Sequence, residues 1–265
     1  VYLHSARAIE EKAFSLKMLG DLYSADRNFV AAKDALLLSL AAYESINYKK
    51  LQAIYDILGR LYKYFDDYKH ALQYQLLALK SAETNGDSTI QLGIINNTLG
   101  TIYKELGRKE VAVQYYKRAL HTAIKYADTF AVALVVFNTS VCFDQFGGPE
   151  KALEFLKSLP KQYLNPAGPL EKAWIAVSFI NAYFLIPERY SEAVKHSRLL
   201  ANIVDHPDIP DEFRSVMYST LASHFLRLKN FERTRYYLTK NIPYEKLPGS
   251  VKRMAAGARL WYMLD

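Results

Sequence analysis

Six histidines, one cysteine and acid pairs such as Asp66-Asp67 are the residues of this 265-residue chain with the most evident chemical reach. Their spacing argues against that use. His4, His70, His121, His196, His206 and His224 are spread over almost the whole chain. They form no His-x3-His pair and no His-Glu-x-x-His helix, the patterns that hold a metal from one helix face. Cys142 has no neighbouring histidine to activate it and sits in the apolar stretch Phe130–Phe143, where a small buried core residue is expected. Asp66-Asp67 falls in a short polar break between apolar segments and reads as a solvated cap. Gly147-Gly148, followed by Pro149 and Glu150, is a turn rather than a phosphate loop, and no Gly-x-Ser-x-Gly elbow occurs. The sequence therefore predicts no catalytic residue, no metal site and no cofactor.

Composition bounds the remaining classes. At 51% hydrophobic and 23% charged residues, the chain has enough apolar surface to fold and is not a disordered segment. The net charge of +7 reads as a basic solvated surface, since the densest Lys/Arg cluster, Lys252-Arg253, is only a pair. One cysteine excludes an internal disulfide and fits either the cytoplasm or a periplasm. The longest weakly polar stretch, Ala173–Pro187, is shorter than the ~20 residues of a membrane span and is expected to be a buried helix. The chain starts at Val1 without a signal-peptide pattern and ends in the apolar run Leu260–Asp265. The expectation is a piece of a longer protein, with any membrane anchor or output domain outside it.

The elements that would position a site announce themselves through a repeat. A small residue is followed three positions later by an aromatic and twelve positions later by another small residue. The triplets are Gly20/Tyr23/Ala32, Gly59/Tyr62/Ala71, Gly100/Tyr103/Ala112, Ser140/Phe143/Ala152, Asn181/Phe184/Ala193 and Ala222/Phe225/Thr234. Their starts lie 39, 41, 40, 41 and 41 residues apart, the period of a solenoid. Apolar residues between them recur at three and four positions, as in Leu16, Leu19, Tyr23 and Phe29, Ala32, Leu36, Leu40, which predicts helices. Short breaks such as Ala25–Asn28, Phe65–Tyr68, Leu106–Lys109 and Leu228–Phe231 predict two antiparallel helices per repeat. Pro160–Pro169 should shorten the second helix of the fourth repeat, and Thr84–Ser88 supplies an Asn-Gly turn with Asp or Ser to cap the next helix. The small residues let the helices approach closely and the aromatic fills the space between them.

Leu-Gly-x-x-Tyr followed by x8-Ala, best seen in Leu99–Leu120, resembles the tetratricopeptide repeat. The first three repeats carry the pattern. The next three keep the aromatic but put Ser140, Asn181 and Ala222 in place of the glycine. The resemblance implies an all-α chain, a right-handed α-α superhelix of about six helix-turn-helix repeats plus the start of a seventh. The expected organisation is a single solenoid domain with repeats over 13–51, 52–92, 93–132, 133–173, 174–214 and 215–246, and a further first helix over 247–265. The long period and the Leu-Trp-Tyr-Met-Leu-Asp ending resemble sensor regions of membrane-anchored signalling proteins of the Bacteroides group.

In such arrays the fifth, ninth and twelfth positions of each first helix share one stripe on the concave face. Here they are Lys17, Asp21 and Ser24, then Asp56, Arg60 and Lys63, then Asn97, Thr101 and Lys104. In the later repeats they are Phe137, Val141 and Asp144; Ser178, Ala182 and Leu185; Ser219, Ser223 and Leu226. The candidate ligand-binding residues are therefore Lys17, Asp21, Asp56, Arg60, Lys63, Asn97, Thr101 and Lys104. Arg60, Lys63 and Lys104 have the chemistry to clamp a carboxylate, with Asn97 on the ligand backbone. The competing reading is that these cations pair with Asp21 and Asp56. The fifth positions (Lys, Asp, Asn, Phe, Ser, Ser) show no one-base-per-repeat code, so no nucleic acid is expected. The expected function is a non-enzymatic peptide- or protein-binding module, the sensing region of a bacterial signalling protein ahead of a cytoplasmic scaffold or co-chaperone, with a helical-repeat RNA binder as the remaining alternative. The periplasm is favoured over the cytoplasm, and self-association through exposed C-terminal helices is compatible with either a protein-binding or a nucleic-acid-binding role.

Overall fold

The computed structural model describes residues 5–87 and 89–240. They are all-α, a helical solenoid. The helices are α1 (Ala6–Ala25), α2 (Phe29–Ser45), α3 (Gln52–Tyr64), α4 (Tyr68–Thr84), α5 (Ile90–Glu105), α6 (Lys109–Lys125), α7 (Thr129–Gly147), α8 (Pro149–Ser158), the short α9 (Lys161–Leu164), α10 (Pro169–Phe184), α11 (Tyr190–Ile203), α12 (Asp211–Arg227) and α13 (Phe231–Lys240). They group into two compact bodies divided between Thr122 and Ala123. The helix expected over 247–265 lies outside the described residues.

The turn between paired helices has a repeated local cause. Arg27, Asp66, Gly107 and Lys229 adopt positive φ of 59°, 57°, 74° and 54°, each seven positions after the small residue that opens its triplet. The next residue then donates its N–H back to the carbonyl of the echoed aromatic: Asn28 to Tyr23, Asp67 to Tyr62, Arg108 to Tyr103 and Asn230 to Phe225, at 2.8 to 3.0 Å. This is the Schellman closure of the first helix. The same residue starts the second helix. Asn28 Oδ1 accepts from the Ala31 N–H and Asp67 Oδ1 from the His70 N–H. One residue thus ends one helix and begins the next, which makes the turn short and the helices antiparallel. The fourth pair turns instead at Gly148 (φ 91°) with Pro149 opening α8. The fifth turns through a 3₁₀ segment, Pro187–Arg189.

The triplet residues occupy the positions that close each pair. Ala32, Ala71, Ala112, Ala152, Ala193 and Thr234 are all fully buried. Across from the opening glycines stand the residues sixteen positions on. A Cβ added to Gly20 would lie 2.6 Å from Leu36, to Gly59 2.7 Å from Gln75, and to Gly100 2.6 Å from Tyr116. The echoed aromatics meet a second aromatic twelve positions later: Tyr62 stacks on Tyr74, Tyr103 on Tyr115 and Phe225 on Tyr237, and Phe143 tilts against Phe155.

In the N-terminal body, Ala13, Leu36, Leu40, Tyr43, Ile54, Leu58 and Leu61 form one apolar cluster, followed by Ala78, Leu79, Ala82, Ile95 and Leu99. In the C-terminal body α10 is the central helix, with every residue from Ala173 to Ile180 buried. It packs on α7, α8, α11 and α12. Its apolar run is that of a buried solenoid helix, as expected. Cys142 is buried too.

Two local expectations change and a third holds. The expected repeat limits at 93, 133, 174 and 215 fall inside α5, α7, α10 and α12, which begin at Ile90, Thr129, Pro169 and Asp211. The triplet spacing marks where the helices cross, whereas capping sets where they start, about a turn earlier. The N-cap of α5 is Thr89, which accepts from the Gln91 N–H, while Asp87 Oδ1 accepts from the Thr89 N–H and hydroxyl. The second helix of the fourth pair is shortened as expected, α8 stopping at Ser158 before Pro160.

Replacing Gly100 with Ala gains about 1 kcal/mol of helix propensity but drives a methyl into the ring of Tyr116. That ring is 0% exposed and its hydroxyl bonds Thr101, so it has nowhere to withdraw. Overpacking costs about 1–3 kcal/mol, so Gly100→Ala should lower stability by about 1–2 kcal/mol in urea unfolding. A raised midpoint would show that the pair does not need the small residue.

Candidate functional site

Of the eight candidate residues, the fold gathers four: Asp56, Arg60 and Lys63 on α3 and Lys104 on α5. Asp56 anchors them. Its side chain is only 1% exposed, yet it is fully satisfied. The Gln75 amide donates to Asp56 Oδ1 and to the Asp56 carbonyl, both at 2.9 Å. The Gln91 amide donates to Oδ2 at 3.0 Å, and Arg60 Nε lies 3.2 Å from the same oxygen. Helices α3, α4 and α5 are pinned through one carboxylate. A charge this deep survives only with such partners.

Arg60, one turn after Asp56, reaches back to it while half of its side chain remains exposed. Lys63 follows three residues on and makes no ion pair or hydrogen bond among the described residues. Burial, then the nearby cations Arg60 and Lys104, push the Lys63 ammonium down to about 8, against the pull of Asp56 and Glu105. Lys104 Nζ lies 3.2 Å from Glu105 Oε1, both side chains largely covered. Three cations are thus held together against two carboxylates. The arrangement is suited to an incoming anion, which would replace mutual repulsion with charge-assisted hydrogen bonds.

The other four candidates stand differently. Lys17 and Asp21 pair with each other along α1 at 2.5 Å. Asp21 therefore does not serve Arg60, whereas Asp56 does, so the competing charge-pairing reading holds for one of its two acids. The Thr101 hydroxyl is committed to structure, donating to the Asn97 carbonyl and accepting from Tyr116. Asn97 is half-buried beside it. In the later repeats Ser178, Ala182 and Ser219 are buried, the serines bonded to the carbonyls of Trp174 and Ser215. Those positions belong to helix packing and line no open stripe.

Sequence reasoning passed over Gln75, Gln91 and Glu105. For Gln75 the signal was present. It occupies the column sixteen positions after the opening glycine, where Leu36, Tyr116 and Leu156 stand in other repeats. A polar side chain in an otherwise apolar, fully buried column implies a buried partner. In the C-terminal body a different buried group stands out. His224 is 2% exposed, flanked by Phe184 and Phe225, with neither ring nitrogen hydrogen-bonded, and burial pushes it down to about 4. It is a neutral core imidazole.

Residues 95–121 match the family model described as tetratricopeptide repeat. The chain contains a tetratricopeptide repeat. That match includes the Gly100/Tyr103/Ala112 triplet and Lys104 of the cation cluster. A comparison with curated protein sequences finds no match. Solved structures are similar in fold. One is the Rap conjugation gene regulator of the plasmid pLS20 in complex with the Phr* peptide, at TM-score 0.65 and 14% identity over 95% of this chain and 74% of that one. Another is the signal transduction ATPase with a tetratricopeptide repeat sensor from Pyrococcus horikoshii, at 0.60 and 20%, covering 97% of this chain and 37% of that one. A tetratricopeptide repeat protein from Parabacteroides merdae aligns at 0.55 and 16%, over 96% and 90%.

Lys63 gives the site a pH signature. Its folded value lies below the ordinary lysine value of 10.5, so the folded chain binds fewer protons between about 8 and 10.5 and stability rises with pH there. Below about 8 the full cost of holding this partly covered charge is present. Lys63→Met should therefore be more stable than the parent at neutral pH, by on the order of 1 kcal/mol. That advantage should fade between pH 8 and 10.5. A variant that is less stable at pH 7 would contradict the arrangement.

Proposed function

We propose that this chain is a non-catalytic binding module whose Arg60, Lys63 and Lys104 receive a carboxylate of an acidic peptide or protein segment. The observation that carries this reading is Lys63, held charged beside two further cations although burial and repulsion both oppose it. Folding alone gives no return for that arrangement, since an apolar residue of similar length would pack there at lower cost. A ligand carboxylate would give one. Asp56, held by two glutamine amides besides Arg60, stays satisfied when Arg60 turns toward a ligand.

Within this class we favour the ligand-sensing region of a bacterial regulatory protein over a cytoplasmic scaffold or co-chaperone. Two fold likenesses support this: a regulator in complex with a peptide and a protein with a tetratricopeptide repeat sensor.

The test is fluorescence polarisation with a labelled glutamate-rich octapeptide bearing a free C-terminus, and with its neutral glutamine counterpart. The parent should prefer the acidic peptide, and Arg60→Ala with Lys63→Ala should weaken it about 10- to 100-fold, as loss of charge-assisted bonds implies. Equal binding of both peptides, or no loss in the double variant, would contradict the proposal. So would tight, salt-sensitive RNA binding with no peptide affinity.

A further inference from the structure

We propose that the groove between α11 and α13 binds an acidic amino acid, Arg198 and Arg233 taking its two carboxylates and Glu232 its ammonium. The groove is a cavity of about 540 Å³ in the C-terminal body, lined by Arg198 and Asn202 of α11 and by Glu232, Arg233, Tyr236 and Tyr237 of α13. It lies between two helix pairs rather than on an end face, since α11 and α13 both pack on α12.

Helical spacing brings these side chains together. Arg198 and Asn202 are one turn apart on α11, and Ala201 beside them is too small to fill the groove. On α13 the rows Glu232/Tyr236 and Arg233/Tyr237 run side by side. Tyr237, 7% exposed, forms the covered side of the groove and stacks on Phe225 at 8° between the ring planes. The Arg233 guanidinium carbon lies 5.0 Å from the centre of the same Phe225 ring. A guanidinium stacked in this way is held in place while its N–H groups remain available to a ligand.

The charges in the groove are unspent. Arg198, Arg233 and Glu232 form no ion pair among the described residues. Glu232 and Arg233 are adjacent on one helix and stand about 100° apart around it, so they do not meet. Two neighbouring cations are taken, Lys195 by Glu192 at 2.7 Å and Lys240 by Asp205 at 3.5 Å. Two open cations and one open anion in a single cavity select the ligand. A phosphate or a plain dicarboxylate would set negative charge against Glu232, and an amine would meet two arginines. An acidic amino acid matches all three, a carboxylate to each guanidinium fork and the ammonium to Glu232. The Asn202 amide can donate to a carboxylate oxygen, while Ala201 and the Tyr237 ring cover the methylenes.

Isothermal titration calorimetry of the 265-residue chain with L-glutamate should give a Kd below about 1 mM. Glutarate, which lacks the ammonium, and L-glutamine, which lacks the second carboxylate, should each bind about 10-fold more weakly, as loss of one charge-assisted pair implies. Arg198→Gln and Arg233→Gln should weaken L-glutamate by a similar factor with the helical circular dichroism unchanged. Glu232→Gln should reverse the preference to glutarate over L-glutamate, because it removes the partner of the ammonium and the repulsion on glutarate together. Arg60→Ala with Lys63→Ala should leave L-glutamate binding intact, which separates this groove from the peptide site. No binding at about 10 mM L-glutamate, equal binding of the three ligands, an unchanged preference in Glu232→Gln, or loss of binding in Arg60→Ala with Lys63→Ala would each overturn the proposal.

Discussion

Closure of each helix pair at a small residue is the constraint on which the rest of this structure depends. At Gly20, Gly59 and Gly100 the first helix carries no side chain, and the second delivers Leu36, Gln75 or Tyr116 into that space. Twelve positions after each small residue the second helix presents an alanine or threonine with no exposed surface. The left-handed turn between the helices sets the register. Its closing hydrogen bond lands on the carbonyl of the echoed aromatic, so glycine, aromatic and turn are one device spaced by helical geometry.

The candidate site grows out of that constraint. In the second repeat the residue delivered against the glycine is Gln75, and its amide comes to rest on Asp56, one turn before Gly59. Asp56 then holds Arg60, and Lys63 and Lys104 complete the cluster. Had the second repeat used leucine, as the first does, the Asp56 carboxylate would lose the donor to Oδ1 at 1% exposure, and its main-chain carbonyl would lose one as well. A buried carboxylate so stripped is costly. The packing column and the charge cluster are therefore one design, joined at a single glutamine.

Much of this was legible in the sequence, for identifiable reasons. The period and the small–aromatic–small spacing read out the helix pairs because close packing tolerates few residue types at those positions. Arg60, Lys63 and Lys104 were legible as neighbours because helix spacing puts them on one stripe. What escaped were relations across helices. That Asp21 pairs with Lys17 rather than Arg60, and that Thr101 is consumed by Tyr116, depends on rotamers and hydroxyl geometry that no spacing encodes. The burial of Ser178 and Ser219 follows from how closely their helices pack, which the repeat pattern leaves open. The helix starts escaped because capping residues, rather than the triplet, decide them.

The central claim is that Lys63 is a charged group held at an electrostatic disadvantage until an anion joins it. Its ammonium pKa, followed by NMR of the lysine side chains with Lys63→Arg to assign the signal, reports this directly. The account predicts a value near 8 in the free chain, moving up toward the ordinary lysine value of 10.5 when the glutamate-rich peptide is added. A value already ordinary in the free chain, or one that does not move at saturating peptide, would contradict it.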